Sequence, residues 1–148
     1  MIRIKPHHFV DIITALGGGQ KTFQPHHYGH AVHTAAEEIL RRPDILLRIE
    51  LGADDICAPC CHNVAGRCDD TIDTSYRPAA PKSKGEWNLL IDRRWCDRLG
   101  LKQDDQLTAV ELCRRIQQCL PHLPDIYREI PADRTAERAG KLAAGLAE

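Results

Sequence analysis

The stretch "ILLRIEL", residues 45–51, predicts the strand around which the chain folds. The apolar residues Leu47, Ile49 and Leu51 alternate with positions 46, 48 and 50, and the last two of these carry the charged side chains Arg48 and Glu50. An alternation of this kind is typical of a strand that buries one of its faces. The elements predicted on either side of this strand determine the fold class.

A first strand is predicted at the start of the chain. Residues 2–5 alternate apolar and basic side chains, and Pro6 ends the run. A loop is predicted to follow, through the three glycines at 17–19. The chain would therefore reach its first helix only after these glycines.

The clearest helical pattern lies between the two strands. Pro25 suits the first position of a helix, apolar side chains recur at helical spacing from Tyr28 to Leu40, and Pro43 stops the run. These features predict a helix over residues 25–41. A strand, a helix and a second strand make a βαβ unit, whose strands are expected to be parallel.

The second half of the chain is predicted to be mainly helical. Residues 71–86 contain prolines, a glycine and few apolar side chains, and they predict an irregular linker. A short helix is predicted over 92–99, closed by Gly100. The capping-box pair at 108–111 predicts the start of a further helix, which Pro121 ends.

These elements predict an α+β fold with a small sheet of two or so short strands and four or five helices. The 148 residues are enough to bury roughly 70% of the unfolded surface in one core, so one domain over 1–148 is expected. The alanine-rich tail, residues 132–148, has a thin apolar stripe and predicts a peripheral or frayed helix.

Composition narrows the class of partner and the compartment. The chain has 20 basic and 21 acidic residues, which gives no electrostatic signal for nucleic acid or an anionic membrane. It has seven cysteines, an odd number, and its first residues lack the apolar run of a secretion signal. We therefore expect a reducing, cytoplasmic compartment, with a redox partner protein or a small-molecule substrate as the partner.

Four of the cysteines and a histidine lie in "DDICAPCCHNVAGRCDD", residues 54–70, directly after the second strand. The spacing Cys57-x2-Cys60 lets two sulfurs on one loop bind the same metal or cluster, and Cys68 can return as a third ligand. A zinc site commonly has a second such pair, which is missing here. The spacing leaves open an iron–sulfur cluster, a zinc site and a metal-free set of redox thiols.

Three motifs resemble those of a known family. "RIKPHHF" at the start, "DDICAPC" with "GRC" in the middle, and "LGLKQDDQLTAVEL" near residue 100 resemble, in order and position, the uncharacterised family numbered 1284 among the domains of unknown function. The match spans roughly residues 1 to 113. Members of that family look like small iron–sulfur binding proteins, so the resemblance implies a cluster on Cys57, Cys60 and Cys68.

The chain departs from the family pattern where a fourth ligand would be expected. The family pattern has cysteine where Asp11 stands here, and proline where Cys61 stands. Four side chains could complete the site: Cys96, Cys61, Asp11 and His62. We favour Cys96 and predict a [4Fe-4S] cluster on Cys57, Cys60, Cys68 and Cys96, with zinc as the alternative metal.

The other cysteines and the histidines suggest further, weaker sites. Cys113 and Cys119 fall on the apolar face of their helix and are expected to be core residues. On a helix over 25–41, one narrow sector holds a histidine stripe, which is expected to be a solvated face rather than a second metal site. It consists of His26, His30, His33 and Glu37. His7 and His8 follow the first strand and could point toward the cysteine stretch, where they would tune the cluster.

Three classes of function remain open, and we favour the first of them, a redox module. In the first, the protein is a redox module that transfers single electrons, and the flanking Asp54, Asp55, Asp69 and Asp70 disfavour the reduced state and dock a basic partner. In the second, it is an enzyme in which three cysteines hold the cluster and the fourth iron binds substrate. His7, His8 or Asp11 would then transfer protons to or from that substrate. In the third, the metal is structural zinc.

Overall fold

The computed structural model describes residues 1–148 and contains five short strands and five helices of ten residues or more. The strands are β1 (Ile2–Ile4), β2 (Leu46–Ile49), β3 (Asn63–Val64), β4 (Arg67–Cys68) and β5 (Gln106–Thr108). The helices are α1 (Pro6–Gly17), α2 (Val32–Arg41), α3 (Lys84–Leu99), α4 (Ala109–Cys119), a single turn α5 (Leu123–Ile126) and α6 (Ala132–Leu146). The predicted α+β class is confirmed.

Strand β2 is the middle strand of a three-stranded sheet with the order β1-β2-β5. β1 pairs with β2 in parallel, with Ile4 opposite Ile49, as the βαβ pattern predicts. β5 pairs with β2 on its other side and runs antiparallel. The sequence does not predict strand β5, because its three residues are too few for a recognisable pattern and lead directly into α4. The remaining strands, β3 and β4, form a separate hairpin.

The loop predicted after Pro6 is wrong, because this segment forms helix α1. Pro6 occupies the first turn of the helix, a position where its missing N–H costs nothing. The helix buries Phe9, Ile12 and Ile13 against the core, at the spacing of one helical face. Polar residues on the other face, Asp11 among them, interrupt the apolar pattern in the sequence.

The helix predicted over residues 25–41 is only half present, because α2 begins at Val32. Residues 25–31 form turns instead. Gly29 lies within them at φ +77°, in the left-handed region that a right-handed helix cannot include. The rings of His26 and His30 stack at 4.5 Å between centroids, in the irregular segment ahead of the helix.

Two helix boundaries in the second half were predicted from local signals. Thr108 caps α4 by accepting a hydrogen bond from the Glu111 N–H, as the capping box predicts. Gly100 ends α3 in the left-handed conformation, also as predicted. The start of α3 was placed too late, because Ser83 caps the helix through the Glu86 N–H and adds two turns.

The C-terminal helix α6 is not frayed: it packs along α1 and buries Leu142 completely. The two helices cross closely at Gly17 of α1 and Gly145 of α6, where a side chain on either glycine would collide with backbone atoms of the other helix. This contact fixes α1 and, with it, the histidines at its first turn. None of the helices is long and apolar enough to cross a membrane.

The crossing of α1 and α6 predicts a difference between two glycines of the same helix. Gly145→Ala should destabilise the protein by about 1–3 kcal/mol, because the new methyl group meets the Ile13 carbonyl oxygen. Gly140 has no neighbour within 4 Å of an added Cβ, so Gly140→Ala should stabilise the helix by about 0.5–1 kcal/mol. Urea unfolding of both variants would measure this. Equal shifts in the same direction would contradict the close crossing.

Candidate metal centre

One cavity of about 320 Å³ brings the predicted cysteine ligands together. Cys57, Cys60 and Cys68 all line it. His7, His8 and other side chains of α1 form a second wall, and α3 forms a third through Trp87, Asn88 and Ile91. The cavity therefore lies where the first turn of α1, the segment after β2 and the start of α3 meet.

A tight loop and a hairpin place the three cysteines around the cavity. In the loop, residues 54–61, the Cys60 N–H donates to the Cys57 carbonyl at 2.9 Å and turns the chain back on itself. The hairpin of β3 and β4 then returns Cys68 opposite Asn63. Its turn residues, Ala65 and Gly66, both have positive φ, as a tight two-residue hairpin turn requires. The spacing between Cys60 and Cys68 thus fits one hairpin.

Asp54 anchors this loop to the start of α1. Its side chain is fully buried and accepts four hydrogen bonds. The Lys5 N–H and the His8 Nδ1–H donate to Oδ2, both at 2.7 Å. The N–H groups of Ile56 and Cys57 donate to Oδ1 at 3.0 and 2.9 Å. Burial by itself would raise the pKa of Asp54, but these donors hold it well below its usual range.

The burial of Asp54 corrects one prediction. Asp54 is one of four flanking aspartates that the sequence predicts to dock a basic partner. Asp54 is 0% exposed and cannot contact a partner protein. Its carboxylate instead holds the cysteine loop in place.

A second buried carboxylate, Asp92 of α3, holds His7. The His7 N–H donates to Asp92 Oδ1 at 2.8 Å, and the ring Nδ1 lies 2.8 Å from Oδ2. Because a carboxylate only accepts, both His7 and His8 donate from Nδ1, and each leaves Nε2 for other contacts. Burial lowers the pKa of His7, but Asp92 outweighs it and raises the pKa above 6.5. Burial and the neighbouring His7 lower the pKa of His8.

The Cys57 thiol does not have the lowered pKa of a reactive cysteine in a metal-free redox site. Burial and the nearby Asp54 carboxylate raise the pKa of Cys57 to about 11. Reactive cysteines have a lowered pKa, so this thiol is a poor nucleophile at neutral pH. A metal binds the thiolate, and its binding would release the proton.

The structure does not bring the favoured fourth ligand, Cys96, to the cavity. Cys96 is buried in the core on α3 and does not line the cavity. Burial and Asp92 raise the pKa of its thiol to about 12. Cys119 is also buried, and Cys113 packs partly buried against the core, as predicted. Cys61 is exposed and does not line the cavity.

The other two candidates for the fourth ligand, Asp11 and His62, do line the cavity. Asp11 accepts a hydrogen bond from Arg138 at 2.9 Å. His62 donates from Nδ1 to Asp69 at 2.8 Å, which leaves its Nε2 available. His30 also lines the cavity, and its buried Nδ1 has no hydrogen-bond partner.

The histidine stripe does not exist as a helical face, because α2 begins only at Val32. His26 lies in the turns before the helix, and the buried Nδ1 atoms of His30 and His33 show that these two rings are not fully solvated. No three donor atoms from the stripe lie within 4.8 Å of one another. The structure therefore contains no preformed second metal site there.

One group of three donor atoms is close enough together to hold a single metal ion. The donor atoms of His8, Asp54 and Cys57 all lie within 4.8 Å of one another. The sulfurs of Cys57, Cys60 and Cys68 form no such group, although they line the same cavity. The cysteines are thus arranged around a space larger than one metal ion.

No family model, curated protein or solved structure matches the chain. The resemblance of its motifs to the family numbered 1284 therefore stays a prediction. The site supports metal binding on the chemistry of its own residues.

Proposed function

We propose that this protein binds one [4Fe-4S] cluster through Cys57, Cys60 and Cys68, and that the iron without a cysteine ligand acts on a small substrate in the cavity. Of the seven cysteines, only these three line the cavity, and this is the observation that carries the proposal. Such an iron supplies Lewis-acid chemistry, which polarises a bound oxygen. The protein would be an enzyme of the second class that the sequence left open.

The spacing of the sulfurs favours a cluster over zinc. A single tetrahedral zinc would need sulfurs about 3.8 Å apart, as Zn–S bonds of about 2.3 Å require. Cys57, Cys60 and Cys68 are not gathered that closely. A cubane cluster binds each cysteine through a different iron and so suits thiols spread around a larger space.

Zinc remains the second candidate because of the group formed by His8, Asp54 and Cys57. Asp54 is a poor ligand in that group, since four donors already occupy its two oxygens. A metal there would have to displace hydrogen bonds that hold the loop. The cluster needs no such change.

The electron carrier predicted from the sequence needs a fourth ligand. Cys96 is buried in the core and does not line the cavity in this structure. The cavity instead presents His7 and His8, each held by a buried carboxylate. Side chains oriented in this way are suited to proton transfer to a bound substrate.

Purifying the protein without oxygen tests directly which metal it binds. We expect brown protein with about four irons and four sulfides per chain, as a single cubane cluster requires. Iron, zinc and acid-labile sulfide would be measured on the same sample. Colourless protein with one zinc per chain would reject the cluster and support the second candidate.

A further inference from the structure

Four basic side chains line the cavity, and only two of them are paired with carboxylates. Lys84 lies 3.5 Å from Asp70, and Arg138 lies 2.9 Å from Asp11. The Lys5 ammonium and the Arg77 guanidinium have no carboxylate within 4.0 Å. A charge that is removed from bulk water is costly unless it is paired, so the buried Lys5 indicates an anion that the chain itself does not supply. The partly buried Arg77 is free to bind a second anion.

Lys5 lines the cavity together with the cysteines, Cys57 among them. The residue is 6% exposed. It also lines a neighbouring surface depression that includes Cys68. If a metal is bound there, this lysine would balance the negative charge of the thiolates.

Arg77 lines the same cavity and is held in place, while its terminal nitrogens remain free to donate hydrogen bonds. Its Nε donates to the Asp73 carbonyl at 2.8 Å. The guanidinium lies 4.7 Å from the centre of the Tyr76 ring and 5.2 Å from that of Trp87. The two terminal nitrogens make no hydrogen bond within the chain. A guanidinium fixed in this way presents a fork that matches the two oxygens of a carboxylate.

Asn88 adds a second unpaired donor on the same wall. The residue is 9% exposed and lines the cavity, and its amide makes no hydrogen bond within the chain. It follows Trp87 on α3 and lies one helical turn before Asp92, which holds His7. A free amide on a cavity wall is available to donate a hydrogen bond to a ligand.

We propose that this wall of the cavity binds a small carboxylate anion through Arg77 and Asn88, and that this anion belongs to the substrate. The inference rests on the proposed function for the role of the ligand, whereas the binding itself depends only on the two side chains. A cavity of about 320 Å³ is at the small end of ligand sites, which favours a compact acid. One fork and one amide suit a planar carboxylate better than a tetrahedral phosphate.

Calorimetric titration of the anaerobically purified protein with succinate tests this site. We expect saturable binding of succinate and none of its neutral diamide. Arg77→Gln should weaken succinate binding at least about tenfold, since a charged hydrogen-bonded pair is lost. Asn88→Leu keeps the branched shape of the side chain but removes its donor, and should also weaken binding. Arg93→Gln is the control for Arg77→Gln, because Arg93 is an exposed arginine on α3 that does not line the cavity.

The possible results separate this inference from the proposed function. Loss of succinate binding in Arg77→Gln with unchanged iron content supports the carboxylate site. Succinate binding that no variant weakens would overturn it, as would binding of inorganic phosphate alone or of neither anion. If the protein contains no iron but still binds succinate through Arg77, the cluster proposal is wrong and the carboxylate site is supported.

Discussion

Replacing Cys60 by serine is expected to remove the iron from the protein, whereas replacing the adjacent Cys61 is expected to leave it bound. Cys60 lines the cavity with Cys57 and Cys68, and Cys61 is exposed outside it. If three thiolates hold the cluster, the loss of one leaves two, and serine is a poor ligand for iron at this site. Both substitutions replace a thiol by a hydroxyl group, and they differ only in whether the residue lines the cavity.

Iron and acid-labile sulfide per chain, measured without oxygen, would check this prediction. Cys57→Ser and Cys68→Ser should behave as Cys60→Ser does. Retention of about four irons in Cys60→Ser, or their loss in Cys61→Ser, would show that the sulfurs around the cavity are not the ligands.

Cys96→Val separates the enzyme from the electron carrier. Valine keeps the volume of this buried core residue and removes its sulfur. Iron content and absorption spectrum should both be unchanged if Cys96 only packs in the core. Loss of iron in this variant would restore Cys96 as the fourth ligand and favour the electron carrier.

Local signals in the sequence predicted the elements that depend on local chemistry. The capping box at Thr108 and the glycine at position 100 each act within one helical turn, and both boundaries are present. The alternation at β2 reflects burial on one face of a strand, and its parallel pairing with β1 followed from the helix between them. Each of these predictions needed only neighbours in sequence.

The predictions for α1 and α2 were wrong because the same residue type can favour two different local structures. Pro6 ends a strand and also begins a helix, and only the packing of Phe9 and Ile12 on the core decides between them. Gly29 lies in a stretch whose apolar spacing is helical, but its positive φ keeps the helix from starting before Val32. Neither outcome can be derived from propensity without the tertiary contacts.

The cysteine ligands were predictable because their spacing is a local property of one loop. The residues that complete the site were not, since they come from distant parts of the chain. Asp92 binds His7 across 85 positions, and Asp54 binds Lys5 across 49. The unpaired state of Arg77 is likewise a property of the folded cavity alone.

Asp54→Asn is expected to destabilise the protein by about 3–5 kcal/mol, a large part of the stability of a domain of this size. The carboxylate accepts hydrogen bonds on both oxygens, from Lys5 and His8 on one and from Ile56 and Cys57 on the other. An asparagine of the same shape replaces one oxygen by an NH₂ group. That group faces two donors and leaves them buried without a partner.

The adjacent Asp55 provides a matched control for this substitution. Asp55 also accepts two hydrogen bonds, both from Arg3, but its side chain is 43% exposed and water can replace the lost contacts. Asp55→Asn should therefore cost about 1 kcal/mol or less. Urea unfolding of the metal-free chains, prepared with a chelator, isolates this effect from any loss of metal. Similar free energies of unfolding for the two variants would mean that Asp54 does not anchor the cysteine loop to α1, and the cavity would then have to be held together by the metal itself.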